Sequence, residues 1–173
     1  MCIRDSVYTS STGSTEQYAR LLGAAAGLPV YALSDAEGVV PHGAAVLYLG
    51  WLMAGTVKGY REAAARFSVR AVCAVGIGGA AQEDAVRTGN RLGDTPLFIL
   101  PGAFGLERLH GAARLMMRMM RKSLTKRLEA KPERTEEETA MLHLLEHGGS
   151  LVDEQNLAPV LAWLASAGRP ERM

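Results

Sequence analysis

Residues Ser10-Ser11-Thr12-Gly13-Ser14-Thr15 separate two segments with different patterns. Val7-Tyr8-Thr9 before them is typical of the end of a β-strand, whereas apolar residues from Tyr18 to Ala25 recur at helical spacing after them. The first N–H groups of a helix have no partner within the helix, and the helix dipole favours negative charge there. Gly13 lets the backbone approach a ligand closely, and the hydroxyls can donate hydrogen bonds to phosphate oxygens. The stretch therefore predicts a strand, a phosphate-binding loop and a helix.

An ordinary helix N-cap is the alternative explanation for these residues. Thr12 or Ser14 alone would fill that role. Six consecutive residues of this kind exceed what a cap requires. The stretch has neither the Lys of a P-loop nor the spaced glycines of a dinucleotide-binding fingerprint. This composition favours a phosphate monoester held by neutral donors.

The pattern Ser-x-Thr-Gly-x-Thr after a first strand, with Ala19 four residues beyond the last Thr, resembles the phosphate loop of the flavodoxin family. Two flanking positions depart from the family pattern, because Ser6 and Gly23 stand where aliphatic residues are usual. The resemblance implies that the chain binds FMN. It also implies that the FMN phosphate is held by Ser10, Ser11, Thr12, Gly13, Ser14 and Thr15.

The rest of the first hundred residues alternates between apolar runs and segments with helical periodicity. Such alternation predicts a parallel sheet with helices on both faces. We expect a flavodoxin-like, doubly wound α/β fold with five strands in the order 2-1-3-4-5, which places ligands at the carboxyl ends of strands one and three. The predicted strands are 7–9, 30–33, 44–49, 69–75 and 97–100, and the predicted helices are 14–26, a segment ending near Phe67, and 82–92.

Length and composition predict one domain over residues 1–173, with a helical C-terminal extension at 105–166 packed on the sheet. Residues 1–6 are expected to be non-native or disordered, because Arg4-Asp5 interrupts a segment that a central parallel strand would keep apolar. Two cysteines are too few for a disulfide framework, and Cys73 is expected to be a small buried hydrophobe. With no apolar run of transmembrane length and no signal peptide, we expect a cytoplasmic protein.

Two further loops are candidates for contact with the flavin ring. The resemblance implies that a loop after strand three covers one side of the isoalloxazine, with Trp51 as the stacking residue; burial of Trp51 in the core is the alternative. The other contact residues in this loop are Leu52, Met53 and Gly55. A third loop would bring backbone N–H groups to the pyrimidine edge, although an ordinary strand-to-helix turn competes with this interpretation. It comprises Gly76, Ile77, Gly78 and Gly79.

No catalytic or metal-binding residue is predicted. Bound FMN would carry out the redox chemistry, and the protein would tune its potential and exclude water. His143-Leu144-Leu145-Glu146-His147 matches the zinc-protease pattern H-x-x-E-H, but little chain follows it to supply a third ligand. Histidines near a helix C-terminus, where they suit the dipole, are the better explanation.

The segment 108–131 carries eight basic residues against Glu129 alone. An apolar stripe over the same region predicts an amphipathic helix. Leu115 and Met119 fall among the basic residues, which suits a membrane surface or an acidic partner; packing beneath the next helix is the alternative. The predicted stripe comprises Leu106, Leu109, Ala113, Met116, Met117, Met120, Leu124 and Leu128.

Three functions remain open from the sequence. The first is electron transfer between partners through bound FMN. The second is an enzyme of heme biosynthesis, because strand five running into Phe104-Gly105-Leu106 and a long Met-rich basic helix resembles the flavodoxin-fold protoporphyrinogen IX dehydrogenase family. The third is an interaction domain that has lost FMN. The expected partners are a redox protein or a quinone, with contact to the inner face of a membrane through segment 108–131 and no nucleic acid.

Overall fold

A mostly parallel β-sheet flanked by helices forms the centre of the protein. The computed structural model describes residues 3–77, 82–104 and 110–167. The strands are β1 Asp5–Thr9, β2 Val30–Ala32, β3 Ala45–Met53, β4 Thr56–Val57, β5 Ser68–Gly76, β6 Leu97–Pro101, β7 Ala103–Phe104 and β8 Gly149–Ser150. The helices are α1 Ser14–Ala26, α2 Tyr60–Arg66, α3 Glu83–Asn90, α4 Gly111–Glu129, α5 Glu136–His147 and α6 Ala158–Ala167, with a 3-10 helix at Glu154–Leu157. The predicted α/β class is confirmed.

The central sheet has six strands among the described residues, one more than the sequence predicted. Strands β2, β1, β3, β5 and β6 pair in that order and in parallel, and β4 pairs antiparallel with the end of β3. Met53 lies opposite Thr56 across a tight turn. Residues 50–53, which were expected to begin a loop, therefore continue β3. Their backbone groups find partners in β5 and β4, so the chain stays extended through Gly50.

Strand β1 begins at Asp5 and ends at Thr9, the end that the sequence predicted. Ser6 lies opposite Val30 of β2 and Leu47 of β3, and its N–H donates to the Pro29 carbonyl over 2.9 Å. Residues 1–6 were expected to be non-native or disordered; of these, Asp5 and Ser6 are ordered in β1, and residues 1–2 lie outside the described part of the chain. Asp5 is tolerated because it stands at the strand's start and keeps partial exposure.

The two faces of the sheet build separate hydrophobic cores. Successive residues of a strand point to opposite faces, and β3 divides in this way. Val46 and Tyr48 belong to the core beneath helices α2 and α3, whereas Leu47 and Leu49 belong to the core beneath α1 and α6. Helices therefore cover both faces and leave the carboxyl ends of the strands available for a site.

The departure at Gly23 is explained by the packing of α1 against β2. A Cβ atom there would overlap the Val30 side chain and lie 2.9 Å from the Leu28 carbonyl oxygen. An aliphatic residue would therefore push helix α1 away from the sheet.

A third apolar cluster joins α4, α5 and the short β7–β8 pair. Phe104, Leu128 and Leu145 are buried in it, and Met117 and Leu124 of the predicted stripe pack against it. The prediction that Met116 belongs to the packed stripe is wrong, because Met116 is 45% exposed. Helical spacing alone does not show where the packed face ends. Leu106 and Leu109 lie outside the described residues.

The C-terminal segment is fastened to the sheet by a hydrogen-bond network around Tyr18. The Tyr18 hydroxyl donates to the Pro101 carbonyl over 2.6 Å. The Asn156 side-chain amide donates to the Tyr18 oxygen and to the Leu151 carbonyl, each over 2.9 Å. These bonds hold the chain before the 3-10 helix against the end of β6. Within the described part of the chain, no helix is long and apolar enough to cross a membrane.

Candidate functional site

A cavity of about 360 Å³ lies at the carboxyl ends of β1, β3 and β5. Its volume is within the range of small-molecule sites. The walls come from the loop after β1, the β3–β4 hairpin, the end of β5, and helices α3 and α4. The lining residues are Ser11, Thr12, Ser14, Thr15, Trp51, Leu52, Met53, Ala54, Gly55, Val75, Gly76, Ile77, Gln82, Ala85, Gly102, Ala103, Met117 and Met120.

The hydroxyl-rich loop carries four of its six predicted residues into the cavity wall. Ser10 and Gly13 do not line the cavity. Gly13 adopts φ +100°, and the Gly13 N–H donates a hydrogen bond to the Ser10 hydroxyl over 3.2 Å. Ser10 therefore shapes the turn, and Gly13 permits it. The N-cap residue of α1 is Gly13, which has no side chain to cap the helix, and the helix dipole favours an anion at this end.

Ser14 and Thr15 begin helix α1 and are buried, with 9% and 1% of their surface exposed. Ser11 and Thr12 complete the hydroxyl-bearing wall. None of the residues that line the cavity in the described part of the chain carries a charge. In the described residues, the polar part of the wall thus consists of neutral side chains and backbone groups.

Trp51 follows the buried part of β3 and forms part of the cavity wall. Its side chain is only partly buried, and the Lys58 ammonium lies 5.9 Å from the ring centroid. A cation at this distance interacts favourably with the ring face. Trp51 is therefore not a fully buried core residue.

The β3–β4 turn consists of Ala54 and Gly55, both with positive φ, 49° and 76°. This is the geometry of a tight hairpin turn whose twist matches the flanking strands. A left-handed conformation is unfavourable for Ala, so the turn stores local strain at the cavity wall.

Asn90, on helix α3, stabilises this turn through hydrogen bonds. Sequence analysis did not identify Asn90 as a site residue. Its side-chain amide donates to the Gly55 carbonyl over 2.9 Å and to the Val86 carbonyl over 2.7 Å, and its oxygen accepts from the Val57 N–H over 2.9 Å. Asn90 is 5% exposed. The one available signal was an Asn four residues after Val86, on the face of the helix that packs inward.

The end of β5 contributes Gly76 and Ile77 to the wall. A Cβ atom at Gly76 would lie 2.8 Å from the Leu52 Cβ, so a glycine is needed for strand packing as well as for access to a ligand. Gly78 and Gly79, which were predicted to contact the flavin, lie outside the described residues.

Helix α4 closes the cavity with Met117 and Met120. The sequence placed both residues in an apolar stripe without connecting them to the site. Ala54, Val75, Gln82, Ala85, Gly102 and Ala103 are further lining residues that pattern analysis missed. Most of them are small and apolar, and only the folded chain brings them together.

Two hydroxyls, those of buried Tyr48 and partly buried Thr9, support the strand ends beside the cavity. The Tyr48 hydroxyl donates to the Lys58 carbonyl over 2.6 Å and shares a hydrogen bond of 2.8 Å with the Thr9 hydroxyl, directly before the loop. Burial raises the pKa of Tyr48 to about 12. The pKa of Tyr8 is also raised, first by burial and then by the charge of Glu16. Both phenols therefore stay neutral at physiological pH.

The two histidines of the H-x-x-E-H segment stack on each other. The His143 and His147 rings lie 4.5 Å apart between centroids, near the C-terminus of α5. In the ranges 3–77, 82–104 and 110–167, no group of three or more His, Cys, Asp or Glu side chains could hold a metal ion.

Comparisons of the chain with known protein families, curated proteins and solved structures found no match. A function has to be inferred from the chemistry of the cavity.

Proposed function

We propose that the chain is a flavodoxin-like redox protein that binds FMN in the 360 Å³ cavity and transfers electrons through it. One observation carries the proposal: a single cavity gathers residues of all three loops implied by the sequence resemblance. These are Ser11, Thr12, Ser14 and Thr15 from the first, Trp51, Leu52, Met53 and Gly55 from the second, and Gly76 and Ile77 from the third.

The residues present fit the chemistry of FMN. The N-terminus of α1, which begins after Gly13, and the hydroxyls of Thr12 and Thr15 suit a phosphate monoester. Trp51 offers a flat surface for the isoalloxazine, and Met117 and Met120 would exclude water from it. Bound FMN supplies one- and two-electron redox chemistry. The residues that line the cavity would position the cofactor and lower the polarity around it.

The sheet supports a flavodoxin-like, doubly wound arrangement. The parallel path β2-β1-β3-β5-β6 reverses direction at β1 and β3, where the chain moves first to one side and then to the other. Ligands of open α/β sheets bind at such a switch point. The loop after β1 and the hairpin after β3 both line the cavity.

The test is an absorbance spectrum of protein incubated with FMN and then desalted, with the released cofactor identified. A two-banded flavin spectrum and recovered FMN are expected. Thr12→Glu and Thr15→Glu should each weaken FMN binding by at least about tenfold, because a carboxylate beside the phosphate costs several kcal/mol. Thr88→Glu on the exposed surface of α3 is the control and should bind normally.

If both loop variants bind FMN as tightly as the wild type does, the proposed site is refuted. Thr12 is partly exposed, so its variant tests the site even where Thr15→Glu disturbs folding. A colourless wild-type protein would instead favour an interaction domain that has lost FMN.

A second candidate is a quinone-dependent oxidoreductase similar to the protoporphyrinogen IX dehydrogenase family. Helix α4 favours it, because Leu115 and Met119 are 61% and 66% exposed on the same helix that covers the cavity. Arg114 and Arg118 lie beside them and form no ion pair with another described residue. Exposed apolar groups among cations suit an anionic membrane surface, where a quinone would be available.

This candidate places the protein at the cytoplasmic face of a membrane. It predicts that the protein binds anionic lipid vesicles and that salt weakens this binding. Leu115→Ser with Met119→Ser should reduce sedimentation with phosphatidylglycerol vesicles, whereas Val39→Ser, at an exposed apolar residue far along the chain, should not. Equal sedimentation with neutral and anionic vesicles would argue against membrane contact. Oxidation of a porphyrinogen coupled to quinone reduction would then distinguish the enzyme from a carrier.

A further inference from the structure

A second cavity, of about 580 Å³, lies between the end of β6, helix α5 and the segment before α6. Gly76, Ile77 and Gly102 line both this cavity and the first one. The two spaces therefore meet at the ends of β5 and β6, but most of their walls differ. The second cavity needs a separate explanation.

The wall of the second cavity is mainly apolar, and its described ionisable side chains are all acidic. Ile99, Met141 and Leu144 form apolar wall, and Leu144 is buried in the third cluster. The ionisable residues that line it in the described part of the chain are Glu137 and Asp153, both carboxylates. The wall offers burial to a hydrophobic body and attraction to a cation at the rim.

The wall is also well held. The Asp153 carboxylate accepts a hydrogen bond from the Gln155 N–H over 2.7 Å, which fixes its orientation. Asn156, another lining residue, is tied to Tyr18 and the Leu151 carbonyl. Glu137 stands in the first turn of α5, whose N-terminus is closed by a capping box between Thr135 and Glu138. A preformed site loses little entropy on binding.

We propose that this cavity binds a small molecule with an apolar ring-sized body and a cationic group. The apolar body lies against Met141 and Leu144, and the cation faces Glu137 and Asp153. Anionic molecules of the same shape are disfavoured by the two carboxylates. This site is independent of the FMN proposal, since its charged residues take no part in the first cavity.

The experiment compares two probes with one ring system and opposite charge, 2-naphthylmethylammonium and 2-naphthoate, by calorimetry on the full chain. The ammonium should bind at least about tenfold more tightly than the carboxylate. Glu137→Gln should weaken the ammonium by about threefold, as for an exposed charge pair, and Glu136→Gln, which is not a lining residue, should not. Ala140→Trp, at an exposed lining position, should block the site.

Equal binding of the two probes, or no binding of the ammonium, would overturn the proposal. Ammonium binding that is unchanged in both the Glu137→Gln and the Ala140→Trp variants would place the probe elsewhere and would also overturn the proposal. The Thr12→Glu variant should retain ammonium binding while it loses FMN. That result separates failure of the second site from failure of the first.

Discussion

The side-chain amide of Asn90 donates a hydrogen bond to the carbonyl oxygen of Gly55 over 2.9 Å, although the two residues are 35 positions apart. This bond connects helix α3 to the turn that lines the first cavity. The Asn90 oxygen also accepts from the Val57 N–H, just beyond the turn. Together the two bonds hold Ala54 in a left-handed conformation that the residue would not adopt by itself.

Asn90→Ala should therefore lower both stability and cofactor affinity. The substitution leaves the buried Val57 N–H and the part-buried Gly55 carbonyl without this partner, and we expect a loss of about 2–4 kcal/mol in the free energy of unfolding. Urea denaturation measures the loss, and FMN titration of the folded protein measures the effect on the turn. Thr88→Ala, exposed on the same helix, should change neither quantity. An Asn90→Ala protein with wild-type stability would show that the turn does not need this support.

Gly59 lies where two hydroxyls meet. It has φ +78°, and a Cβ atom there would collide with the Tyr48 hydroxyl and the Thr9 hydroxyl. Gly59→Ala should cost about 3 kcal/mol, combining backbone strain with overpacking. Gly43→Ala is the matched control, because Gly43 has φ +77° with nothing within 4 Å of its Cβ, and should cost only about 1 kcal/mol.

The collision term can be isolated with Tyr48→Phe, which removes one of the two hydroxyls. Gly59→Ala should then cost less in the Tyr48→Phe background than in the wild type. Equal costs at Gly59 and Gly43 in thermal unfolding would mean that the site relaxes without loss.

Local chemistry was sufficient to predict helix α1. Its limits, 14–26, match the expectation because a hydroxyl-rich start and Gly27 at the end, with φ +67°, are strong signals within the segment itself. The apolar runs of β3 and β5 were equally clear, since both strands are covered on two faces.

Other features depend on residues far apart in the chain. The β3–β4 hairpin was missed because Ala54 is not a turn signal, and its conformation is held by Asn90. The exposed position of Met116 depends on where α5 packs, which helical spacing cannot show. The strand pairing of Asp5 and Ser6 is a similar case, because neighbouring strands impose it on polar residues.

Ser6 also provides a prediction of increased stability. Its side chain is fully buried in β1, and its hydroxyl oxygen has no hydrogen-bond partner among the described residues. Ser6→Ala removes an unsatisfied polar group, so we expect a gain of about 1 kcal/mol in the free energy of unfolding. Ser34→Ala, at an exposed serine, should stay within about 0.5 kcal/mol of the wild type. Chemical denaturation measures both, and a destabilised Ser6→Ala protein would indicate that the hydroxyl has a partner after all.

Cys73 should make the protein less stable in alkali. The thiol is completely buried in β5, and burial raises its pKa from 9.0 to about 12. Below about pH 9 the thiol is protonated in both states, but between about pH 9 and pH 12 only the unfolded chain releases the proton. Stability should therefore fall across this window, with the thiol contributing up to about 1.4 kcal/mol per pH unit.

Cys73→Ala should show a shallower fall between about pH 9 and pH 11 in urea denaturation, and an unchanged slope near neutral pH. Buried Tyr48, whose pKa is also raised, leaves part of the alkaline loss in place. Identical slopes for the variant and the wild type would mean that the Cys73 thiol ionises in the folded protein.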